Sequence, residues 1–149
     1  MSNLFDEIFS VERYENNDLV YIDENLKDFR VKDVMSYRKW LENFKKYNNI
    51  KVEGLDNKNY HKSLLKDIQL QIKVNSVQLF FNQLGGFSFP KHTDDVNVFL
   101  YVIKGAKNVF IDDEPILIKE CQGISIPKGT PHQVNSLPDT WALSIGYDE

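Results

Sequence analysis

Cysteine, histidine and net charge are all scarce in this 149-residue chain. The single cysteine, Cys121, excludes a disulfide within the chain and fits a reducing, cytoplasmic setting. No apolar run approaches the roughly 18 residues that a membrane-spanning helix needs. The opening stretch, residues 1–17, is acidic and mixed, without the basic start and apolar centre of a secretory signal. Net charge is only −4 and no long basic block occurs, which argues against nucleic acid as the main partner. No internal repeat, low-complexity tract or linker interrupts the chain. What remains is the composition of a globular protein, 42% hydrophobic and 13% aromatic, in a length that suits one domain with one core.

The apolar residues change period along the chain. Residues 1–67 read as a mixed, helix-containing segment. Leu4, Phe5, Ile8 and Phe9 lie at helical spacing and predict a short first helix. Leu19–Ile22 reads as a strand. Val31–Tyr47 is the main predicted helix, with Val34, Tyr37, Leu41 and Phe44 on one stripe and lysines and arginines over much of the rest. Ile50–Val52 predicts a short strand. Tyr60–Asp67 predicts another short helix, whose His61 reads as a surface or packing residue rather than a ligand. From residue 68 the period shortens to two. Ile68–Val74 alternates strictly and Val77–Asn82 predicts a second strand. Val96–Ile103 is a dense β run, and Asp112–Pro115 reads as a tight polar turn. Short apolar runs at 107–111, 116–118, 123–126, 133–135 and 141–145 complete the pattern of an antiparallel sandwich or barrel over residues 68–149, within a single domain 1–149.

Two of the three histidines fall in one pattern. His92 and Asp94 are separated by one residue, so on a strand both point to the same face. His132 follows within Pro127-Lys-Gly129-Thr-Pro-His132. Two imidazoles and one carboxylate on one side of a metal leave its other side open, the arrangement of non-haem Fe(II) oxygenases. An isolated His-x-Asp is common near turns in soluble proteins. Here both halves of the pattern stand at the mouths of strand-like runs, beside Pro and Gly.

These residues resemble the two motifs of a cupin. Gly86, five residues, His92, Asp94 and the later Gly105 are similar to the first; Pro127, Gly129 and His132 are similar to the second. Aspartate rather than histidine at position 94, an apolar strand, then Lys104-Gly-Ala-Lys107 resembles the JmjC-like branch, which includes Fe(II)- and 2-oxoglutarate-dependent hydroxylases. The resemblance covers residues 76–147 or so. It implies a mainly β fold, a double-stranded β-helix (cupin or jelly roll) with a helical N-terminal segment packed outside. It implies Fe(II) held by His92, Asp94 and His132, and 2-oxoglutarate bound through Lys107, fifteen positions after His92. Gln78 and Asn82, on the strand before the motif, are candidates to touch that cosubstrate. Tyr101 and Asn97, of opposite parity, should face away from the metal; Trp141 and Phe99 read as packing residues. The implied reaction consumes O2 and 2-oxoglutarate, releases succinate and CO2, and oxidises a peptide or protein side chain or a small molecule. No membrane or nucleic-acid partner is expected, and the oligomeric state stays open, a homodimer included. One departure is Cys121-Gln122, where relatives carry Gly-Asp. Two other readings compete: a metal-binding cupin that binds or isomerises small molecules, and a non-catalytic β-sandwich binding domain.

Overall fold

A computed structural model describes residues 19–22, 28–31, 49–52, 60–67, 69–87 and 90–148. Among these residues the strands are β1 (Leu19–Ile22), β2 (Asp28–Val31), β3 (Asn49–Val52), β4 (Lys73–Asn82), β5 (Gly86–Phe87), β6 (Asn97–Lys104), β7 (Ala106–Ile111), β8 (Glu114–Lys119), β9 (Gly123–Ile126), β10 (His132–Ser136) and β11 (Thr140–Asp148), and one helix, α1, spans Tyr60–Asp67. They form two antiparallel sheets. The larger has seven strands in the order β2-β1-β3-β4-β11-β6-β9, and the smaller has four in the order β5-β10-β7-β8. The expected mainly β, cupin-type architecture is therefore present. No described helix is long and apolar enough to cross a membrane.

The core lies between the sheets. Leu100, Val102, Val109, Ile118, Ile126 and Ala142 form one buried cluster drawn from both. The large sheet is buried at its centre on the other face as well. Val77, Leu79, Tyr101, Leu143 and Ile145 have the opposite parity from the core set and are at most 2% exposed. Burial on both faces explains why β6 reads as a continuous apolar run instead of an alternating one. The small sheet is different. Phe87, Pro115 and Leu117 are exposed on its outer side, and β8 is exposed at every residue but Ile118.

Several sequence expectations change. Ile68–Val74 and Val77–Asn82 are not two strands; β4 is one strand that begins only at Lys73. The reason is the end of α1. Gln69 adopts φ +55, its amide donates to Lys66 O, and Leu70 N donates to Leu65 O. This left-handed cap takes the first part of the alternating run out of the sheet. Asp112 and Asp113 alone make the turn between β7 and β8, both at positive φ, and Glu114 and Pro115 already pair with Ile111 and Phe110. Such a two-residue link matches the twist of the hairpin. Val31, expected to open the main helix, ends β2 instead, paired with Leu19. The strands expected at Leu19–Ile22 and Ile50–Val52 are present as β1 and β3; β2 joins them, and together they extend the large sheet through β3–β4 pairing. The helices expected at residues 4–9 and over 32–47 lie outside the described residues.

The chain crosses from the large to the small sheet at Gly105. Its φ is +88, and a Cβ there would stand 2.9 Å from Thr140 Cα, so only glycine fits this corner. The corner sets the phase of β7 and so sends Lys107 inward.

Candidate metal centre and cavity

Hydrogen bonds that join the two halves of the motif build the site. His92 N donates to His132 O at 3.0 Å and His132 N donates to His92 O at 2.9 Å. This isolated antiparallel bridge sets the two imidazoles side by side, ring centres 4.4 Å apart. Asp94 is tied to the second motif too, since Gly129 N donates to Asp94 O at 3.0 Å. Lys128 N donates to Asn97 Oδ1 at 2.9 Å. Asn97 therefore faces away from the cavity, as its parity requires, and steadies the Pro-Gly turn that leads into His132.

The ring nitrogens are sorted by their partners. His92 Nδ1 lies 2.9 Å from Pro90 O and His132 Nδ1 lies 2.8 Å from Thr130 O. A carbonyl only accepts, so each Nδ1 carries the hydrogen and each Nε2 faces the site, able to offer its lone pair to a metal once it bears no proton. His132 Nε2 is 3.1 Å from Asp94 Oδ2, and His92 Nε2 is 3.7 Å from Asp94 Oδ1. One donor atom from each of the three residues lies within 4.8 Å of the others. The hydrogen bond to His132, with the charges of both histidines, lowers the Asp94 pKa despite partial burial. The same bond raises that of His132. A carboxylate kept ionised beside two oriented imidazoles fits a divalent first-row metal, which would displace the His132 proton on binding.

Behind the triad lies a cavity of about 210 Å³. On the small sheet it is lined by His132, Val134 and Lys107. On the large sheet it is lined by Ser76, Gln78 and Phe80 of β4, Ser144 and Gly146 of β11, Val98 and Leu100 of β6, and Ile126 of β9. Lys107 is 3% exposed. Its Nζ stands 5.4 Å from the centre of the Phe80 ring, and it makes no ion pair or hydrogen bond with any described residue. Burial pushes its pKa down to about 8.

The residues singled out from sequence divide into two groups. His92, Asp94, His132, Lys107 and Gln78 all line one cavity. Asn82 does not; it is 1% exposed and its Oδ1 accepts a hydrogen bond from Ser136 Oγ at 2.9 Å. Trp141 packs, with its ring centre 4.3 Å from that of Phe81. His61 lies in α1. Ser76 and Ser144 reach the cavity without having been anticipated. Serines in a strand carry no signal until pairing shows which face they occupy. Cys121 takes the φ +64 position of the turn between β8 and β9, and Gln122 Oε1 accepts from Lys119 N at 3.0 Å. The Cys-Gln pair thus makes this turn without a glycine at its positive-φ position.

Fold and site together define a cupin-fold domain with a His-Asp-His cluster. Residues 76–147, a little under half of the chain, match the family model described as the AraC-like ligand binding domain. No curated protein matches the sequence. Solved structures with this fold include KdgF from Halomonas sp. (13% identity, 68% of this chain and 80% of that one, TM-score 0.50). Another is YcfD, a ribosomal oxygenase from Escherichia coli, in complex with cobalt and 2-oxoglutarate (16% identity, 68% of this chain and 32% of that one, TM-score 0.58). A third is the polyketide cyclase RemF from Streptomyces resistomycificus (17% identity, 68% and 66%, TM-score 0.50). At such identities the likeness is one of fold. The chain corresponds to about a third of the oxygenase's length.

Proposed function

We propose that the protein is an Fe(II)- and 2-oxoglutarate-dependent oxygenase. The observation that carries this reading is Lys107: a buried ammonium, without a carboxylate partner among the described residues, in the same cavity as a His-Asp-His cluster. A buried cation without compensation is costly, and an anionic cosubstrate removes that cost. In the E. coli oxygenase the same fold carries cobalt and 2-oxoglutarate together.

His92 Nε2, His132 Nε2 and an Asp94 oxygen would hold the metal. Bound Fe(II) would supply O2 activation coupled to decarboxylation of the keto acid. The chain's own residues do the remainder. Lys107 neutralises the far carboxylate of the acid. Gln78 offers an amide along its length. Val98, Leu100, Ile126 and Val134 keep water from the inner part of the cavity. The substrate, a peptide or protein side chain or a small molecule, reaches the site from the open side, where His92 is 40% exposed. A cytoplasmic setting belongs to the same proposal.

The test is turnover and its dissection. The full-length protein with Fe(II) should consume 2-oxoglutarate and form succinate, slowly without substrate and faster with it. Asp94→Ala should abolish succinate formation, and Lys107→Ala should raise the 2-oxoglutarate concentration required. A second reading is favoured by the match to a ligand-binding family: the cavity takes a small acid and no reaction follows. Binding of 2-oxoglutarate that depends on Lys107, with no succinate under any condition, would establish that alternative.

A further inference from the structure

The large-sheet wall of the cavity contains an irregularity that the metal centre does not require. β4 and β11 pair in regular register from Asn82↔Thr140 to Ser76↔Gly146, and then slip so that Tyr147 faces Val74. Asn75 is therefore an extra residue in β4. A bulge of this kind bends its strand and re-aims the adjacent side chain. The adjacent residue is Ser76, which lines the cavity. Asn75 is itself pinned, its Nδ2 donating to Asp148 Oδ1 at 3.1 Å.

Gly146, directly opposite, completes the device. It is not among the residues at positive φ, so backbone conformation does not demand a glycine. Space does. A Cβ at this position would collide with Ser76 Oγ and would lie 2.9 Å from Asn75 Oδ1 and 3.3 Å from Val96 Cγ2. The missing side chain of Gly146 is the seat of the Ser76 hydroxyl. Ser76 is half-buried, and its hydroxyl has no hydrogen-bond partner among the described residues. Buried polar groups are normally paired; here a bulge and a glycine hold a half-buried hydroxyl toward the cavity with no partner among the described residues.

The strand register gives the cavity an axis. Ser76, Gly146 and Val98 form one rung; Gln78, Ser144 and Leu100 the next; Phe80, Ala142 and Val102 the third. Lys107 Nζ stands over Phe80 at the third rung. On the small sheet Lys107 pairs with Ser136, four residues along β10 from His132. Lys107 thus marks one end of the cavity, while the triad and Ser76 mark the other. Four residues of strand span about 13 Å, and lysine extends into that interval. We propose that Ser76 is a positioning residue for the metal-side end of a short two-ended acid, hydrogen-bonding a keto or carboxylate oxygen while the other carboxylate sits on Lys107. The role presupposes the keto-acid site proposed above. Gly146 serves it indirectly, by leaving room for the hydroxyl.

Calorimetric titration of the full chain, first with Mn(II) and then with 2-oxoglutarate, tests this. Ser76→Ala should weaken 2-oxoglutarate about tenfold, the effect of one hydrogen bond to a charged or strongly polar group, with Mn(II) affinity and melting temperature unchanged. Gly146→Ala should give a similar loss by displacing the hydroxyl, and the double variant should lose little more than either single one. A merely structural role would move Mn(II) affinity and melting temperature as well. Undiminished 2-oxoglutarate binding in Ser76→Ala overturns the proposal. Fully additive losses in the double variant overturn the part assigned to Gly146. Wild-type protein that binds Mn(II) but not 2-oxoglutarate would remove the keto-acid site itself, a failure distinguishable because it precedes any substitution.

Discussion

The large sheet is buried on both faces along most of β6, whereas the small sheet is buried on one face and wet on the other. Their contributions to the cavity differ accordingly. Lys107 and His132 belong to the small sheet, and His92 is bridged to it. The strands of the large sheet supply neutral groups, Ser76, Gln78 and Ser144, together with an apolar floor; Asp94 stands just before β6. Stability and charge are thus carried largely by different layers. A strand buried on both faces contributes apolar area twice, and that surplus offsets the penalty of pointing an ammonium inward from the other sheet.

Substitutions can break that division of labour, and the largest effect is expected in the large sheet. Leu143, 0% exposed, should lose about 3 kcal/mol of stability as Leu143→Ala, measured by denaturant unfolding. Leu117→Ala on the wet face of the small sheet, where the side chain is 47% exposed, should stay within about 0.5 kcal/mol of wild type. Equal losses would mean that both sheets bear the load.

Lys107 sharpens the comparison through pH. Its pKa is about 8 in the fold against an ordinary 10.5. Below pH 8 the lysine is charged whether folded or unfolded, and the burial penalty is fully present. Between these two values the unfolded chain keeps a proton that the fold has released, so the ligand-free protein should become more stable as pH rises. The gain attributable to this group is up to about 3 kcal/mol and should be absent from the unfolding curves of Lys107→Met. Affinity for an anion in the cavity should run the opposite way, falling as pH rises past about 8.

His132→Ala should lower metal affinity by about a hundredfold or more, since loss of a ligand exceeds the effect of losing an outer partner. It should disturb stability much less than Leu143→Ala; metal titration beside thermal unfolding separates the two. The smallest effect belongs to Lys104 and Asp139, an exposed ion pair at 2.9 Å. Removing either partner should change stability by less than about 0.5 kcal/mol.

Much of the β core was legible from periodicity because its period is short and local. The strands at 96–103, 107–111 and 123–126 appear within a residue or so of their expected limits. Misreadings occurred where a local pattern met a non-local constraint. Residues 68–72 alternate like a strand, but the cap of α1 claims the beginning of that run. Val31 has helical spacing to Val34, yet pairing with Leu19 places it in β2. Asn82 shares parity with Gln78, but it lies two rungs farther on, where Ser136 engages it.

The spacing of His92, Asp94 and His132, and the interval to Lys107, identified from sequence the groups that the fold gathers in one cavity. Residues that meet through a shared motif leave their mark in linear distance. Tertiary structure alone decided that Lys107 is buried without a counter-ion among the described residues, that Asn82 points elsewhere, and that Ser76 is aimed by a bulge and seated on Gly146. Those outcomes depend on register between strands roughly thirty to seventy residues apart, where a slip of one residue reverses the face of every side chain.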